Sequence, residues 1–219
     1  MFLCIVVGLS YYAVTMPIKN IYIKGNKIIS DNEIIQTSSL YEYPSFLLTK
    51  KSEIKKKLEK NQYIKEVKIY KKLGNIIEIE VIEYQAIAIT IEENIILASG
   101  EILENTYGLT DVPIMINTID NPEVSKNFAK KFGQIEENIL RQISQIEYSP
   151  VEVDKDRFLL YMNDGNLVYI TLTKINKLNK YNQIKDKLNG ELGIIYLDSG
   201  NYVELRKESK PESNSNSNI

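Results

Sequence analysis

The chain has 219 residues with 27 Lys+Arg, 29 Asp+Glu, one Cys, no Trp and no His. Its formal charge of -2 gives no global basic field to draw it onto nucleic acid. The absence of His excludes Ser-His-Asp and Cys-His catalysis and His-ligated zinc, and the lone Cys4 can form no internal disulfide. A hydrophobic fraction of 43% with 26% charged residues is that of a foldable globular chain.

Met1 to Ile18 carries no charged side chain. As a helix it would span about 27 Å, near the lower limit for a bilayer. Phe2, Leu3, Ile5, Val6, Val7, Leu9, Tyr11, Tyr12 and Val14 are the expected lipid-facing residues, and Pro17 and Lys19 end the run. A secretory signal peptide is the rival, but the run lacks a basic start and a small-x-small cleavage site. A buried core helix is the third reading. Positive charge lies on the C-terminal side, at Lys19, Lys24 and Lys27, against the usual cytoplasmic bias. A basic cytoplasmic arm upstream of Met1 would resolve that inversion. The remaining chain is expected outside the membrane.

Residues 19–85 carry a compact pattern. Ile21 and Ile23 alternate with polar neighbours before Gly25-Asn26. Ser30 and Glu33 form a capping box that opens a short helix carrying Ile34 and Ile35. A second helix is expected from Thr49 to Lys60, with Ile54 and Leu58 one turn apart. Its lysines are interrupted by Glu53 and Glu59, so they read as a solvated face rather than a nucleic-acid patch. Val67 and Ile69 alternate with lysines, Leu73-Gly74-Asn75 turns the chain, and Ile77, Ile79 and Val81 alternate with Glu78 and Glu80. The order is β-α-α-β-β, with a basic strand facing an acidic one.

Residues 86–206 read as a second unit. Ala86–Ile91, Ile95–Ala98 and Val112–Asn117 are short apolar runs. A long helix is expected from Pro122 to Gln145, with apolar residues at steps of three or four ending on Ile143. Val151 and Val153 alternate before Asp154. Phe158, Leu160 and Met162 run into Asn163-Asp164-Gly165-Asn166, a strong hairpin signal, and Val168, Ile170 and Leu172 return. Thr173 can cap a helix that stops at Asn189-Gly190. Gly193–Asp198 and Asn201–Leu205 form a closing hairpin. The tail, 207–219, is rich in Asn and Ser and is expected to be disordered.

Chemistry for catalysis is sparse. No Gly-rich loop joins a strand to a helix, and no Cys or His cluster offers metal ligands. The carboxylate pairs Glu92-Glu93, Glu136-Glu137 and Asp154/Asp156 read as solvated surface. No cofactor and no small-molecule substrate are expected. What remains is strand edges and apolar surface, the material of binding.

The ordered set resembles the FtsQ family of bacterial cell-division proteins, called DivIB in Gram-positive bacteria. The resemblance rests on the uncharged span, Ile21-Tyr-Ile-Lys-Gly-Asn26, the two helices, Ile64 to Lys72 and the return strand Ile77 to Glu83. It extends through the long helix, the Asp164-Gly165 hairpin and the closing hairpin. Departures are Leu73-Gly74-Asn75 where the family has Pro, and Tyr84 where it has Arg after the glutamate. The resemblance implies an α+β fold: a transmembrane helix (1–18), a POTRA domain (19–85) and a mixed β-sheet domain with packed helices (86–206). It implies a non-enzymatic, single-pass protein of the division septum that binds the coiled-coil proteins FtsB (or DivIC) and FtsL and links complex assembly to septal peptidoglycan synthesis. Matched along Asp198-Ser-Gly200, the family's contact positions fall on Leu197, Ser199 and Leu205 of this sequence, with Tyr202 and Val203 between. The expected partner site is Tyr196, Leu197, Ser199, Tyr202, Val203 and Leu205; the alternative is that Leu197, Val203 and Leu205 simply face the core. The alternatives are a membrane-anchored POTRA adaptor, or a chaperone of a secretion or outer-membrane assembly system, and, in a different class, a cell-wall hydrolase.

Overall fold

The computed structural model describes residues 2–206, with side chains from Cys4 onward. The expected disordered tail, 207–219, lies outside the described residues, as do Met1 and the side chains of Phe2 and Leu3. The chain divides into two compact units between Gln85 and Ala86.

The first unit opens with helix α1 (Phe2–Thr15). Its 14 residues rise about 21 Å. No helix among the described residues is long and apolar enough to cross a membrane. The uncharged run was expected to be helical through Ile18, and it is not. Pro17 disfavours helical backbone at Met16 and offers no N–H of its own, so the helix stops at Thr15. Pro17 forms an isolated bridge with Ser45, and the Ile18 N–H donates to the Pro44 carbonyl at 3.0 Å. Ile18 is buried, so it belongs to the core of the folded unit rather than to an apolar span.

Three strands follow the expected pattern. β1 (Asn20–Lys24) runs parallel to the central β3 (Ile76–Glu83), and β2 (Ile64–Lys72) pairs antiparallel on its other side. Helices α2 (Asp31–Thr37) and α3 (Lys51–Leu58) lie between β1 and β2 in sequence. The Ser30 hydroxyl accepts the Glu33 N–H at 3.2 Å, which satisfies one of the orphan donors of α2. Ile77, Ile79 and Val81 are buried together with Ile34, Ile54 and Leu58. On the opposite face Lys68 lies across from Glu80. The Glu78 carboxylate receives Lys72 at 2.6 Å and Lys24 at 3.0 Å, and these hydrogen bonds hold it below the usual carboxylate range. Glu83 ends β3 by accepting the backbone N–H groups of Lys27, Ile28 and Ile29 at 2.9, 2.8 and 3.0 Å. That carboxylate replaces the missing strand partners of the loop after β1.

The second unit is a nine-stranded mixed sheet. Its strands are β4 (Ala86–Ile89), β5 (Asn94–Leu97), β6 (Ile102–Glu104), β7 (Ile114–Met115), β8 (Ile143–Tyr148), β9 (Arg157–Met162), β10 (Leu167–Thr171), β11 (Gly193–Tyr196) and β12 (Tyr202–Leu205). The spatial order is β12-β11-β10-β9-β8-β7-β4-β5-β6. β4 with β7, β7 with β8, and β10 with β11 are parallel; the other pairs are antiparallel. One face carries Ile146, Leu160, Val168 and Ile195 in register and belongs to a single apolar core. That core includes Val124, Phe128 and Phe132 of helix α4 (Pro122–Phe132). It also includes Ile175 and Leu178 of a 3-10 helix (Leu172–Lys180) and Tyr181, which opens helix α6 (Tyr181–Lys187). Phe128, Phe132, Phe158 and Tyr148 form its aromatic centre, with ring centroids 4.4–5.5 Å apart.

Three expectations are corrected here. The helix expected over Pro122–Gln145 is broken in two and ends in a strand. Gly133 caps α4, at a position where a side chain would meet the Ala98 Cβ at 2.8 Å. Asn179 then accepts the Glu136 N–H at 2.9 Å and donates to the Gln134 carbonyl at 3.1 Å, fixing a new direction before the single turn α5 (Glu137–Leu140). Ile143 therefore belongs to β8. The alternation of Val151 and Val153 is no strand; both side chains are exposed in the loop before β9. Thr173 is not a side-chain cap: its N–H donates to Asp156 at 3.2 Å, and the element begins as a 3-10 helix from Leu172. The expected stop does form, with Asn189 and Gly190 both at positive φ.

Candidate partner-binding edge

β12 is the last strand of the sheet among the described residues, so one side of its backbone pairs with β11 and no described strand lies beside the other. Such an edge offers a row of N–H and C=O groups to an incoming chain. Its position is fixed by the turn Asp198–Asn201. The Asp198 carboxylate takes the Arg157 guanidinium at 2.6 Å, and its carbonyl accepts from Lys174. Lys177 donates to Asn201 at 2.6 Å. The Leu197 and Asp198 N–H groups both donate to the Tyr169 carbonyl, at 2.8 and 3.1 Å. Asn201 takes a positive φ of 54° to reverse the chain.

A ladder of rings crosses the face of the sheet opposite the core. Tyr169, Tyr196 and Tyr202 lie in register on β10, β11 and β12. Tyr169 stacks on Tyr196 at 5.3 Å and 21°, and Tyr196 stacks on Tyr202 at 4.6 Å and 14°. The Arg157 guanidinium covers the inner end, 3.8 Å from the Tyr169 centroid. Burial and the Glu204 carboxylate, which accepts the Tyr196 hydroxyl at 3.2 Å, push the Tyr196 hydroxyl up. Tyr202 is the outer rung, 46% exposed at the sheet edge.

The six residues singled out from the resemblance separate into two groups. Tyr196, Ser199, Tyr202 and Leu205 reach solvent, and the Ser199 hydroxyl donates to Asp198 at 3.2 Å. Leu197 is buried in the core, and Val203 is half-buried against it. The side chain of Leu197 therefore holds the hairpin down and presents nothing outward. Tyr169, Arg157 and Glu204 complete the ladder and were not singled out from sequence. Their grouping depends on register across four strands, which no local spacing encodes.

The carboxylate pairs do not assemble a hydrolytic centre at the groove beside α4. That groove, of about 390 Å³, is walled by Ile96, Ile102, Met115, Ile119 and Phe128, and Glu92 is the one carboxylate among its described lining residues. Glycoside hydrolysis by the common route needs two. Among the described residues no cluster of His, Cys, Asp or Glu is arranged to hold a metal.

Comparison with known proteins identifies the family. Residues 16–84 match the POTRA domain, FtsQ-type. The cell division protein DivIB of Bacillus subtilis is 31% identical over 194 residues, covering 85% of this chain and 73% of its own. DivIB of Geobacillus kaustophilus is 27% identical over 219 residues, covering 96% and 84%. The solved major extracytoplasmic domain of the trans isomer of DivIB from Geobacillus stearothermophilus is 22% identical; the match covers 49% of this chain and 95% of that one, with a TM-score of 0.40. Similarity to DivIB thus runs along most of both chains, through the POTRA segment and the second unit alike, and this chain belongs to the DivIB family of cell division proteins.

Proposed function

We propose that this chain is a non-enzymatic scaffold of the bacterial division complex. Its N-terminal segment anchors it in the cell membrane as a single pass, and both folded units lie outside. It binds FtsB/DivIC-like and FtsL-like proteins and thereby links assembly of the complex to septal peptidoglycan synthesis. The observation that carries the reading is the open edge of β12, in a chain whose relatives are named for cell division. A partner strand laid along Tyr202–Leu205 would gain backbone hydrogen bonds from the edge and side-chain selectivity from Tyr202 and Leu205. The anchor is supported by α1, whose side chains from Cys4 to Ala13 are all exposed although the helix is apolar on every side. Such a helix needs cover from lipid or protein.

The test uses the full chain. A fluorescent fusion in growing cells gives bands at midcell, and a DivIC/FtsB-like partner binds the purified protein. Tyr202→Ala and Ser199→Glu weaken that binding while the unfolding midpoint stays nearly unchanged. Uniform membrane fluorescence would remove the division role; normal binding by both variants would move the partner site away from β12.

A further inference from the structure

Outside α1, three leucines of the first unit are exposed: Leu47 at 59%, Leu48 at 63% and Leu73 at 97%. The other two leucines of its folded part, Leu40 and Leu58, are in the core. All three exposed leucines stand around the point where α1 leaves the fold. On one side the Phe46 N–H donates to the Met16 carbonyl at 2.9 Å, and the Ser45 hydroxyl donates to the Val14 carbonyl. On the other side the Asn75 side chain donates to the Pro17 carbonyl at 3.1 Å, and the Lys19 N–H donates to the Asn75 carbonyl at 2.9 Å. The strands agree with this placement. β1 and β3 both begin at this end, with Asn20 opposite Ile76, and β2 ends there, with Lys72 opposite Ile76.

These leucines are held outward by ordered turns. The Ser45 hydroxyl accepts the Leu48 N–H at 3.2 Å, and Thr49 donates to the Ser45 carbonyl at 2.7 Å. The Lys71 ammonium donates to the Phe46 carbonyl and sits 4.8 Å over the Phe46 ring. Leu73 heads a turn that Gly74 and Asn75 close with positive φ. Neither turn can swing its leucine into the core without breaking these bonds.

Charge surrounds the same end. Lys50 and Lys51 follow the Leu47-Leu48 pair, Lys72 precedes Leu73, and Lys19 follows the helix exit; all four are at the surface. Glu42, Glu53 and Glu78 are the acids near that end; Glu53 pairs with Lys50 at 3.1 Å and Glu78 with Lys72 at 2.6 Å, so Lys19 and Lys51 carry most of the charge turned to the outside. Burial first, and then the nearby Lys51, lower the Lys71 ammonium. Exposed Tyr41 and Tyr43 add rings of the kind that settle at a lipid–water interface.

We propose that this end of the POTRA fold rests on the bilayer, with Leu47, Leu48 and Leu73 in the interfacial layer and the lysines against anionic lipid headgroups. The inference rests on α1 as the membrane anchor, because the helix brings the leucines to the surface. Apolar tips enter the headgroup boundary, and basic side chains are attracted to an anionic leaflet. The contact gives the POTRA unit a fixed stance on the membrane, where a helix alone leaves it free to rotate.

The test is spin-label depth in the full chain carrying Cys4→Ser, reconstituted into vesicles of phosphatidylcholine with about a third phosphatidylglycerol. Labels are placed singly by Leu47→Cys, Leu73→Cys, Leu9→Cys and, at the far end of the sheet, Lys65→Cys. Labels at 47 and 73 are expected to be relaxed by oxygen over an aqueous nickel chelate, and the label at 65 by the chelate. Replacing the anionic lipid by neutral lipid should shift positions 47 and 73 toward the aqueous pattern. Aqueous labels at 47 and 73 with a lipid-exposed label at 9 would overturn the docking and leave the anchor standing. An aqueous label at 9 with lipid-exposed labels at 47 and 73 would remove the anchor and leave the docking. Depth at 47 and 73 that ignores lipid charge would overturn the part assigned to the lysines.

Discussion

Arg157 on β9 and Asp198 in the turn after β11 form a 2.6 Å ion pair almost closed to solvent, their side chains 15% and 6% exposed. The pair reaches across β10, whose Tyr169 ring lies under the same guanidinium at 3.8 Å. One side chain thus fixes both the turn that launches the edge strand and the inner rung of the ring ladder. Removing one member of a buried pair leaves the other charge without compensation and costs about 3–5 kcal/mol. Arg157→Ala should lower stability by an amount of that order. Arg157→Lys should recover only part of it, because an ammonium keeps the charge but loses the planar stack. Urea midpoints of the two variants check the order. Equal midpoints for Arg157→Lys and the parent protein would show that charge alone matters here.

The core of the first unit supplies a second prediction. Ile79 is fully buried on the central strand, paired with Ile23 on one side and Ile69 on the other. Ile79→Asp would bury an unpaired charge and should cost several kcal/mol. Ile79→Val should cost about 1 kcal/mol. An unfolding midpoint unchanged by the aspartate would mean that the strand register is wrong.

Gly25 gives a third. It sits at φ 84°, and a Cβ there would lie 2.3 Å from the Val81 carbonyl oxygen. Gly25→Ala therefore meets both a backbone conformation that side chains disfavour and a backbone clash. Gly100→Ala shares the positive φ but meets nothing within 4 Å. The first should destabilise the protein clearly more than the second, as thermal unfolding would show.

Local chemistry was readable in the sequence wherever one short segment decides the outcome. Ser30 with Glu33, Gly74 with Asn75, and Asp164 with Gly165 each set a cap or a turn that the structure contains. The apolar steps from Val124 to Ile143 misled because a helix and a strand can both bury Ile135, Ile139 and Ile143 in succession. The break is held by Asn179, more than forty residues away in sequence, which accepts the Glu136 N–H and donates to the Gln134 carbonyl. Strand β6 and the parallel pairing of β10 with β11 left no local mark either. Of the edge residues, the position of Tyr202 follows from its place in the last strand. The burial of Leu197 follows from packing on the far side of the sheet.

Acid should act through Asp164. Burial raises this carboxyl, but the Asn166 N–H, the Tyr181 hydroxyl and the Lys185 ammonium outweigh burial and hold it below its ordinary value of 3.8. The folded protein therefore binds this proton less readily than the unfolded chain. The stabilisation is present in full above the unfolded value and is lost as pH falls through the folded one. Asp164→Asn removes that titration. The stability gap between parent and variant should be widest near pH 6 and narrow steadily below about pH 4. A gap constant from pH 6 to pH 2 in urea titrations would assign the effect to hydrogen-bond geometry instead.

The two ends of the nine-stranded sheet make the partner edge open to a direct contrast. β12 (Tyr202–Leu205) closes one end and β6 (Ile102–Glu104) the other. Both are short, and both carry an exposed apolar residue, Leu205 and Ile102. They differ in support. Behind β12 stand the stacked Tyr196 and Tyr169, the Arg157–Asp198 pair, and Lys174 and Lys177 holding the turn. An edge already held straight loses less conformational freedom when a strand is added to it. On this argument the proposed DivIC/FtsB-like partner should add to β12 and not to β6. In hydrogen exchange of the full chain, the outward amides of Tyr202–Leu205 should exchange quickly when free and slow at least tenfold on saturation with partner. The amides of Ile102–Glu104 should not change. Protection appearing at β6 instead would place the added strand at the opposite end of the sheet, and protection at neither would replace strand addition by a side-chain interface.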